Sequence, residues 1–186
     1  MSAGTGGGAP PRTGSAFDVR RVTPADLEGT RAIRLEMLTD SPDAYLETAA
    51  DFAARPRADL AAALAERAGG DRVAQFVARA ADAAGGPFAG IATAGFVDAP
   101  ADTVGVYGVY VTPAHRGTGV LAALMRAVED WAGGRGATLL QLEVITGNDR
   151  ALRAYRRLGF TPLELLPHPT KPGETELRLR RPVPAR

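Results

Sequence analysis

The segment that most constrains the fold is a strand that runs into a glycine-rich corner and then into an amphipathic helix. Residues 109–123 read VYVTPAHRGTGVLAA, so an apolar strand ends before Pro113, and Gly117 and Gly119 precede the apolar stripe of the helix. The first turn of a helix has backbone N–H groups without intrahelical partners and carries partial positive charge from the helix dipole. The corner is therefore predicted to bind an anion such as a phosphate.

The residue types at this corner suit a diphosphate. Gly117 and Gly119 have no Cβ, so an anion can approach the backbone closely, and Arg116 can add a charged donor beside it. Two glycines next to an arginine are also compatible with an ordinary surface loop. The segment that follows has to decide between these interpretations.

A short capped helix follows the next strand. Residues 138–145 are a largely apolar run typical of a buried strand, and Asn148 and Gly159 stand where an N-cap and a helix-ending glycine are expected. Ala151 and Tyr155 are four residues apart, which places them on one face of this helix. Tyr155 is therefore predicted to point inward, towards the sheet.

With these two elements the chain resembles the GNAT superfamily of N-acetyltransferases. Its members bind acetyl-CoA at an Arg/Gln-x-x-Gly-x-Gly/Ala corner and carry a downstream Asn-x-x-Ala-x-x-x-Tyr-x-x-x-Gly-Phe helix. Both motifs are present in this order, from Arg116 to Leu121 and from Asn148 to Phe160. One position departs, because Leu121 stands where the family usually has Gly or Ala. Its backbone N–H is retained, and we expect its side chain to point into the core.

The resemblance implies an α+β fold with α/β/α layers. It has a mixed, mostly antiparallel sheet of about seven strands and four or five helices, in one domain over residues 16–183. Residues 1–15 are nearly all Gly, Ala, Ser, Thr and Pro and are predicted to be a disordered tail. The predicted strands are 17–22, 72–80, 87–97, 103–111, 138–145, 160–166 and 175–181, and the predicted helices are 24–39, 45–54, 57–67, 117–132 and 148–158.

The resemblance also implies where acetyl-CoA, the cosubstrate, is held. The strands on either side of the corner helix splay apart in such folds, and the pantetheine arm enters the gap. The expected cofactor-binding residues are Val109, Tyr110, Val111, Arg116, Gly117, Thr118, Gly119, Val120, Leu121, Asn148 and Tyr155. The amides of the arm would pair with the main chain of Val109 and Val111. Gly105 and Gly108 suggest a β-bulge in this strand, although both glycines could also just make room for neighbouring side chains.

The chemistry implied by the family is acetyl transfer to an amine through a tetrahedral intermediate. A backbone N–H around Tyr110 would stabilise the oxyanion. Tyr155 would act as general acid by giving a proton to the departing thiolate. The alternative for Tyr155 is aromatic packing between helix and sheet.

Composition narrows the chemistry further. The chain has no cysteine, which excludes a thioester intermediate on the enzyme and favours direct transfer. No metal is expected, because the only histidines, His115 and His168, are far apart in the sequence, and both are expected at the surface. A net charge of +1 produces no electrostatic field that would attract nucleic acid, so no nucleic-acid partner is expected. No apolar run is long enough to span a membrane, so a cytoplasmic location without membrane contact is expected.

The acceptor is expected to be a primary amine of a small molecule or peptide. The segment that walls the acceptor side in the family is acidic, with Asp26, Glu28, Glu36, Asp40, Asp43, Glu47 and Asp51. Such a wall would steer a cationic amine towards the site, although a solvated helix face explains the same run of charges. A homodimer is left open.

No general base is assigned. Many relatives have a glutamate near the start of the strand before the corner, where this chain has Gly105. Glu143, Asp98 and Asp102 are candidate substitutes. Two other functions fit parts of the sequence: a non-catalytic acetyl-CoA sensor, and a Rossmann-type dinucleotide-binding domain, since residues 117–122 also match G-x-G-x-x-A.

Overall fold

Seven strands form one mixed sheet in the part of the chain that the computed structural model describes, residues 16–81, 85–98 and 100–184. The strands are β1 (Phe17–Arg21), β2 (Val73–Ala80), β3 (Gly90–Phe96), β4 (Thr103–Val111), β5 (Leu139–Ile145), β6 (Thr161–Pro167) and β7 (Thr175–Pro182). Their order is β1-β2-β3-β4-β5-β7-β6, and only β4 and β5 are parallel. The antiparallel meander from β1 to β4 contradicts the Rossmann-type hypothesis, which requires a doubly wound parallel sheet. The predicted tail lies outside the described residues.

Helices cover both faces of the sheet. They are α1 (Leu27–Asp40), α2 (Ala49–Ala54), α3 (Arg57–Gly69), α4 (Val120–Gly133) and α5 (Asp149–Arg157). Apolar residues of α1, α2 and α3 share one buried cluster, and those of α4 and α5 share another on the opposite face. The predicted mixed α/β/α architecture is confirmed. None of the helices in the described ranges is long and apolar enough to cross a membrane.

Alternating side chains along the strands supply the two cores. In β2, Val77 joins the cluster under α1 to α3, while Phe76 and Ala78 join the cluster under α4. On α4, Val120, Leu124 and Val128 recur every four residues, and all three are fully buried against the sheet. The sheet is therefore packed between two apolar layers, and both of its faces are covered by helices.

A gap lies between β4 and β5. The two strands pair only at their first residues, with Thr103 opposite Leu139 and Gly105 opposite Gln141 at the limits of the pairing. Beyond this point no pairing between β4 and β5 is present, so residues 106–111 keep a free edge. The splay implied by the resemblance is thus a feature of the structure.

Three predicted helices begin three or four residues later than expected, and one of them is α4, which begins at Val120 and not at residue 117. Residues 24–26 form a 3-10 turn that follows Thr23, so α1 begins at Leu27. The helix predicted from residue 45 begins only at Ala49, because Tyr45 has extended backbone angles, φ −135° and ψ 155°. The side chain of Tyr45 makes a contact with β4 that a helix at this position would not provide.

Candidate active site

A cavity of about 660 Å³ occupies the gap between β4 and β5 and extends under α1, α2 and α3. Residues 106–109 line one side and residues 142–145 the other, while Asn148 and Tyr155 contribute from the start and middle of α5. Two of the predicted site residues on different elements, Val109 and Tyr155, thus face the same space.

A β-bulge shapes β4 beside this cavity. Ile91 pairs with Tyr110 and Thr93 pairs with Tyr107, so two residues of β4 stand opposite one residue of β3. One of the two is Gly108, whose φ of +57° is left-handed. This confirms the bulge at Gly108, whereas Gly105 lies in regular pairing.

The hydrogen-bonding pattern shows which main-chain groups face the gap. The N–H of Thr112 donates to the carbonyl of Ala89 at 3.0 Å, and antiparallel pairing alternates between inward and outward residues. The main chain of Tyr110 therefore faces β3, and the main chains of Val109 and Val111 face the gap. The oxyanion-binding N–H that the resemblance implies around Tyr110 would therefore be that of Val109 or Val111, because the N–H of Tyr110 itself faces β3.

Both gap-facing carbonyls already accept a hydrogen bond from the protein. The hydroxyl of Tyr45 donates to the carbonyl of Val109 at 2.8 Å. The Nε of Arg116 donates to the carbonyl of Val111 at 3.2 Å. A carbonyl oxygen has two lone pairs, so each can still accept a second donor.

The glycine-rich corner leads into α4 as an open cradle. Gly117 and Gly119 have φ values of +79° and +97°, and no atom of the described residues lies within 4 Å of the Cβ position at either, apart from chain neighbours. No side chain caps the helix, and its first bond runs from the N–H of Ala123 to the carbonyl of Gly119 at 3.0 Å. The N–H groups of residues 120–122 therefore lack intrahelical partners. Thr118 is exposed, and Leu121 packs partly against the core as expected.

Arg116 does not extend freely from the corner. Its guanidinium forms an ion pair with Asp40 at the end of α1 and lies 5.8 Å from the ring centre of Tyr110. Burial acts to raise the pKa of Asp40, but hydrogen bonds from Arg116 and Ser41 hold it below its ordinary value. In this structure Arg116 fastens the corner to α1.

The α5 motif is a pair of helix caps around a buried tyrosine. The side chain of Asn148 accepts the N–H of Ala151 at 3.1 Å, as predicted for an N-cap. At the other end, the N–H of Phe160 donates to Tyr155 at 3.1 Å, and the N–H of Gly159, which has φ +84°, donates to the carbonyl of residue 156 at 3.0 Å. This is a Schellman motif, and the rings of Tyr155 and Phe160 make its apolar contact.

Tyr155 is buried, with 8% of its surface exposed. Its hydroxyl forms no hydrogen bond with any residue in the described ranges. Burial, with a smaller contribution from nearby Tyr45, raises the pKa of Tyr155 far above its ordinary value. The phenol is therefore protonated at neutral pH.

Three carboxylates line the cavity. Glu47 pairs with Arg34 at 3.0 Å, and Glu143 accepts from Arg178 at 2.8 Å. Glu176 faces the ring of His168, with 3.6 Å between its Oε1 and Nε2. Asp98 and Asp102, the other candidate bases, are not among the lining residues.

The surface position expected for His168 is wrong, because only 6% of the residue is exposed. Its Nδ1 accepts the backbone N–H groups of Thr170 and Lys171 at 3.3 and 3.1 Å. A nitrogen that accepts carries no proton in neutral imidazole, so the proton lies on Nε2 and points at Glu176.

The acids of the acidic segment are paired with other groups of the protein. Six of its seven acids lie outside the cavity, and Glu47 alone lines it. The seven acids have partners as follows: Asp26 with Arg20, Glu28 with Arg57, Glu36 with Tyr110, Asp40 with Arg116, Asp43 with Lys171, Glu47 with Arg34 and Arg55, and Asp51 with Thr48. The cationic acceptor stays a prediction, without an unpaired acidic wall to support it.

A model of the acetyltransferase (GNAT) family matches residues 37–160, which is more than half of the chain. The chain belongs to the GNAT family of acetyltransferases.

Among relatives, streptothricin acetyltransferase of Streptomyces lavendulae is 50% identical over 52 residues, 28% of this chain and 28% of that protein. The match therefore spans well under two thirds of that relative. Nourseothricin acetyltransferase is 26% identical at a TM-score of 0.63, covering 91% of this chain and 100% of that one. The yncA protein of Salmonella typhimurium, solved with its cofactor acetyl-CoA, has the same fold at 20% identity, covering 92% of this chain and 96% of that one at a TM-score of 0.72.

In this GNAT protein the structure brings together Val109, Val111, Asn148 and Tyr155 around one gap, with the corner at the end of β4. It also adds residues that the sequence analysis missed, namely Tyr45 and the pair His168 and Glu176. These lie in or next to loops, and no local pattern marks them.

Proposed function

We propose that this protein transfers the acetyl group of acetyl-CoA directly to a primary amine of a small molecule or peptide. The observation that carries the proposal is the free edge of β4 at the Gly108 bulge, which opens into the same cavity as Tyr155. Family membership supports acetyl transfer as the reaction class.

The corner and the gap suit the two halves of the cofactor. The unpartnered N–H groups at the start of α4, with the open space at Gly117 and Gly119, would hold the diphosphate. The main-chain groups of Val109 and Val111 would pair with the pantetheine amides, as an added strand does. The acetyl-CoA found as cofactor in the Salmonella structure agrees with this assignment.

In the proposed reaction, the amine nitrogen attacks the thioester carbonyl carbon and an oxyanion forms. The gap-facing N–H of Val109 would donate to this oxyanion, an effect worth about 3 kcal/mol. When the intermediate collapses, the C–S bond breaks and the thiolate takes a proton from the hydroxyl of Tyr155. The attacking nitrogen, positively charged after the attack, gives up one proton as the amide forms, and this proton restores the phenol of Tyr155, directly or through water. Because burial raises the pKa of Tyr155, this hydroxyl is protonated at neutral pH.

The acceptor ammonium has to lose a proton before it attacks. Glu47 and Glu143 are each held by arginines, whereas Glu176 faces only the His168 ring among the described residues. Glu176 is therefore the carboxylate we propose as general base, directly or through a water. The names of the streptothricin and nourseothricin relatives support a small-molecule amine as acceptor.

Calorimetric titration with acetyl-CoA, and with NAD for comparison, tests the cofactor site. Gly119→Asp should weaken acetyl-CoA binding at least 10-fold, because it places a negative charge where the diphosphate would lie. Gly136→Asp is the matched control, since Gly136 also has a left-handed φ, +81°, and open space at its Cβ position. It lies beyond the opposite end of α4, so binding should not change.

A coupled assay for CoA release with a panel of amines separates the enzyme from the sensor. Acetyl transfer to any amine excludes a non-catalytic sensor. Tight binding of acetyl-CoA without transfer to any amine would favour the sensor instead. Absence of binding, or equal losses in the two glycine variants, would contradict the proposed site.

A further inference from the structure

One wall of the cavity carries an excess of arginine. Arg31 and Arg34 on α1, Arg55 just after α2 and Arg67 on α3 all line it, and Glu47 is the single acid on that wall. Glu47 accepts from Arg34 at 3.0 Å and from Arg55 at 3.4 Å. Two of the four arginines therefore share one carboxylate.

The other two arginines are not paired with a carboxylate within ion-pair distance among the described residues. Neither Arg31 nor Arg67 forms a hydrogen bond or an ion pair through its side chain with any residue of the described ranges. Arg67 is partly buried, and burial lowers the pKa of its guanidinium. Nearby Arg34 and Arg55 lower this pKa further, while Tyr107 and Glu66 act to raise it. A desolvated cation beside like charges costs free energy unless an anion binds to it.

The surroundings of Arg67 are built for a polar ligand. The buried side chains of Gln75 and Thr93 also line the cavity and are joined by a 2.9 Å hydrogen bond. Tyr107, half exposed, lies close enough to Arg67 for the guanidinium charge to oppose the rise that burial causes in the pKa of its hydroxyl, and this hydroxyl has no hydrogen-bond partner among the described residues. Polar groups such as these in the lining of a cavity favour a polar ligand over an apolar one.

The opposite side of the cavity carries the carboxylates. Glu143 and Glu176 line it from β5 and β7, together with Tyr155 and Arg178. Arg178 pairs with Glu143, so Glu176 is the acid on this side without an arginine partner among the described residues. The cavity is thus positive under α1 to α3 and carries acids beside the gap. A ligand with a carboxylate at one end and an ammonium at the other matches both sides.

We propose that the acceptor is an amino carboxylate, an amino acid or a compound of that type, whose carboxylate is bound by Arg67 with support from Arg31. The planar guanidinium can hold a carboxylate through two parallel hydrogen bonds. The amine then points towards the gap and Glu176. This inference rests on the proposed acetyl transfer, and it names the class of acceptor.

The test compares each standard L-amino acid with its own carboxamide as acceptor, with nourseothricin as a third type of amine, in the CoA-release assay. At least one amino acid should be acetylated with a kcat/KM about 30-fold or more above that of its amide. The amide has the less basic amine and more of it is neutral, so amine basicity cannot produce this preference.

Substitution of Arg67 identifies the anchor. Arg67→Met should raise KM for the amino acid about 10-fold or more, leave kcat/KM for the amide unchanged, and leave acetyl-CoA affinity unchanged. Arg57→Met is the control, because Arg57 lies on the same helix, is exposed and pairs with Glu28. Arg31→Met gives a second, smaller effect of the same kind if Arg67→Met does not fold.

Equal rates with acids and amides, transfer to nourseothricin alone, or transfer to no amino acid would each overturn the inference. Equal losses in the Arg67 and Arg57 variants would overturn it as well. These outcomes leave the cofactor site untouched, since that site is tested by acetyl-CoA binding alone.

Discussion

At the scale of single residues, Tyr155 combines burial with a place in the cavity lining and a hydroxyl that has no hydrogen-bond partner among the described residues. Its motif lies within one short helix, where the caps and the spacing of apolar residues are local signals, so the sequence placed it correctly facing the sheet. Tyr45 and Arg67 could not be found in this way. The hydroxyl of Tyr45 donates to Val109, 64 residues away in the sequence. Arg67 is distinguished by having no hydrogen-bond or ion-pair partner for its side chain among the described residues, which is a property of the folded state.

Removal of the Tyr155 hydroxyl should affect the chemical step. We expect Tyr155→Phe to lower kcat about 100-fold or more, because the leaving thiolate loses its proton donor, while acetyl-CoA affinity changes little. Tyr110→Phe is the control: Tyr110 is equally buried, with its hydroxyl donating to Glu36 at 3.2 Å outside the cavity. Steady-state kinetics measures kcat for both variants, and calorimetry measures their affinity for acetyl-CoA. A similar kcat for the two would leave Tyr155 with only a packing role.

At the scale of elements, the sequence predicts strands and helices well where periodicity is local. It predicts α4 and β5 to within a few residues, since each has its own apolar pattern and glycine boundaries. It fails for the start of α2, where residues 45–48 are not helical and the hydroxyl of Tyr45 instead donates to the carbonyl of Val109, a tertiary contact that no local pattern shows. The bulge in β4 is predicted only in part: the sequence offers Gly105 and Gly108 as its position, and the structure places it at Gly108.

The bulge should depend on the backbone freedom of Gly108. Its φ of +57° is left-handed, and the nearest atoms to a Cβ there are 3.6 Å away, so conformation and not space limits substitution. We expect Gly108→Ala to lower the free energy of unfolding by about 1 kcal/mol, Gly108→Val to lower it more, and Gly108→Asn to lower it least, since Asn tolerates this conformation.

Urea titrations of the three variants measure this order, and calorimetry measures acetyl-CoA binding in parallel. Acetyl-CoA affinity should fall in the same order, because a strained bulge shifts the gap-facing groups of Val109. Equal losses of stability for Ala, Asn and Val would show that the left-handed backbone is not what the glycine provides. Unchanged affinity in Gly108→Val would separate the bulge from cofactor binding.

At the scale of the whole molecule, the edge of the sheet is fastened to the helices that wall the cavity. Asp26 accepts two 2.7 Å hydrogen bonds from Arg20 on β1 and also accepts from the backbone and the hydroxyl of Thr23. Arg21 donates to three backbone carbonyls in residues 67–73. Because β1 has only β2 as a neighbour, these contacts tie an edge strand to α1 and α3.

This arrangement predicts how stability changes with pH. The hydrogen bonds from Arg20 lower the pKa of Asp26 far below its ordinary value of 3.8, with further lowering by Thr23 and against the opposing effect of burial. A carboxyl with a lowered folded-state pKa stabilises the fold fully above its unfolded pKa and loses that contribution as the pH falls towards the folded value. The contribution of Asp26 should therefore be complete at pH 7 and decrease below about pH 4.

Asp26→Asn should thus lower the free energy of unfolding by about 2–4 kcal/mol at pH 7, and by clearly less at pH 3, where the wild-type protein has lost part of the same contribution. Urea titrations of both proteins at the two pH values give the difference. Asp71→Asn serves as the control, because the Asp71 side chain is 94% exposed and its contact with Arg135 is 3.4 Å, so little change is expected at either pH. A loss in Asp26→Asn that is the same at pH 7 and pH 3 would mean that the carboxyl charge does not hold the edge strand, and that the substitution acts only through packing.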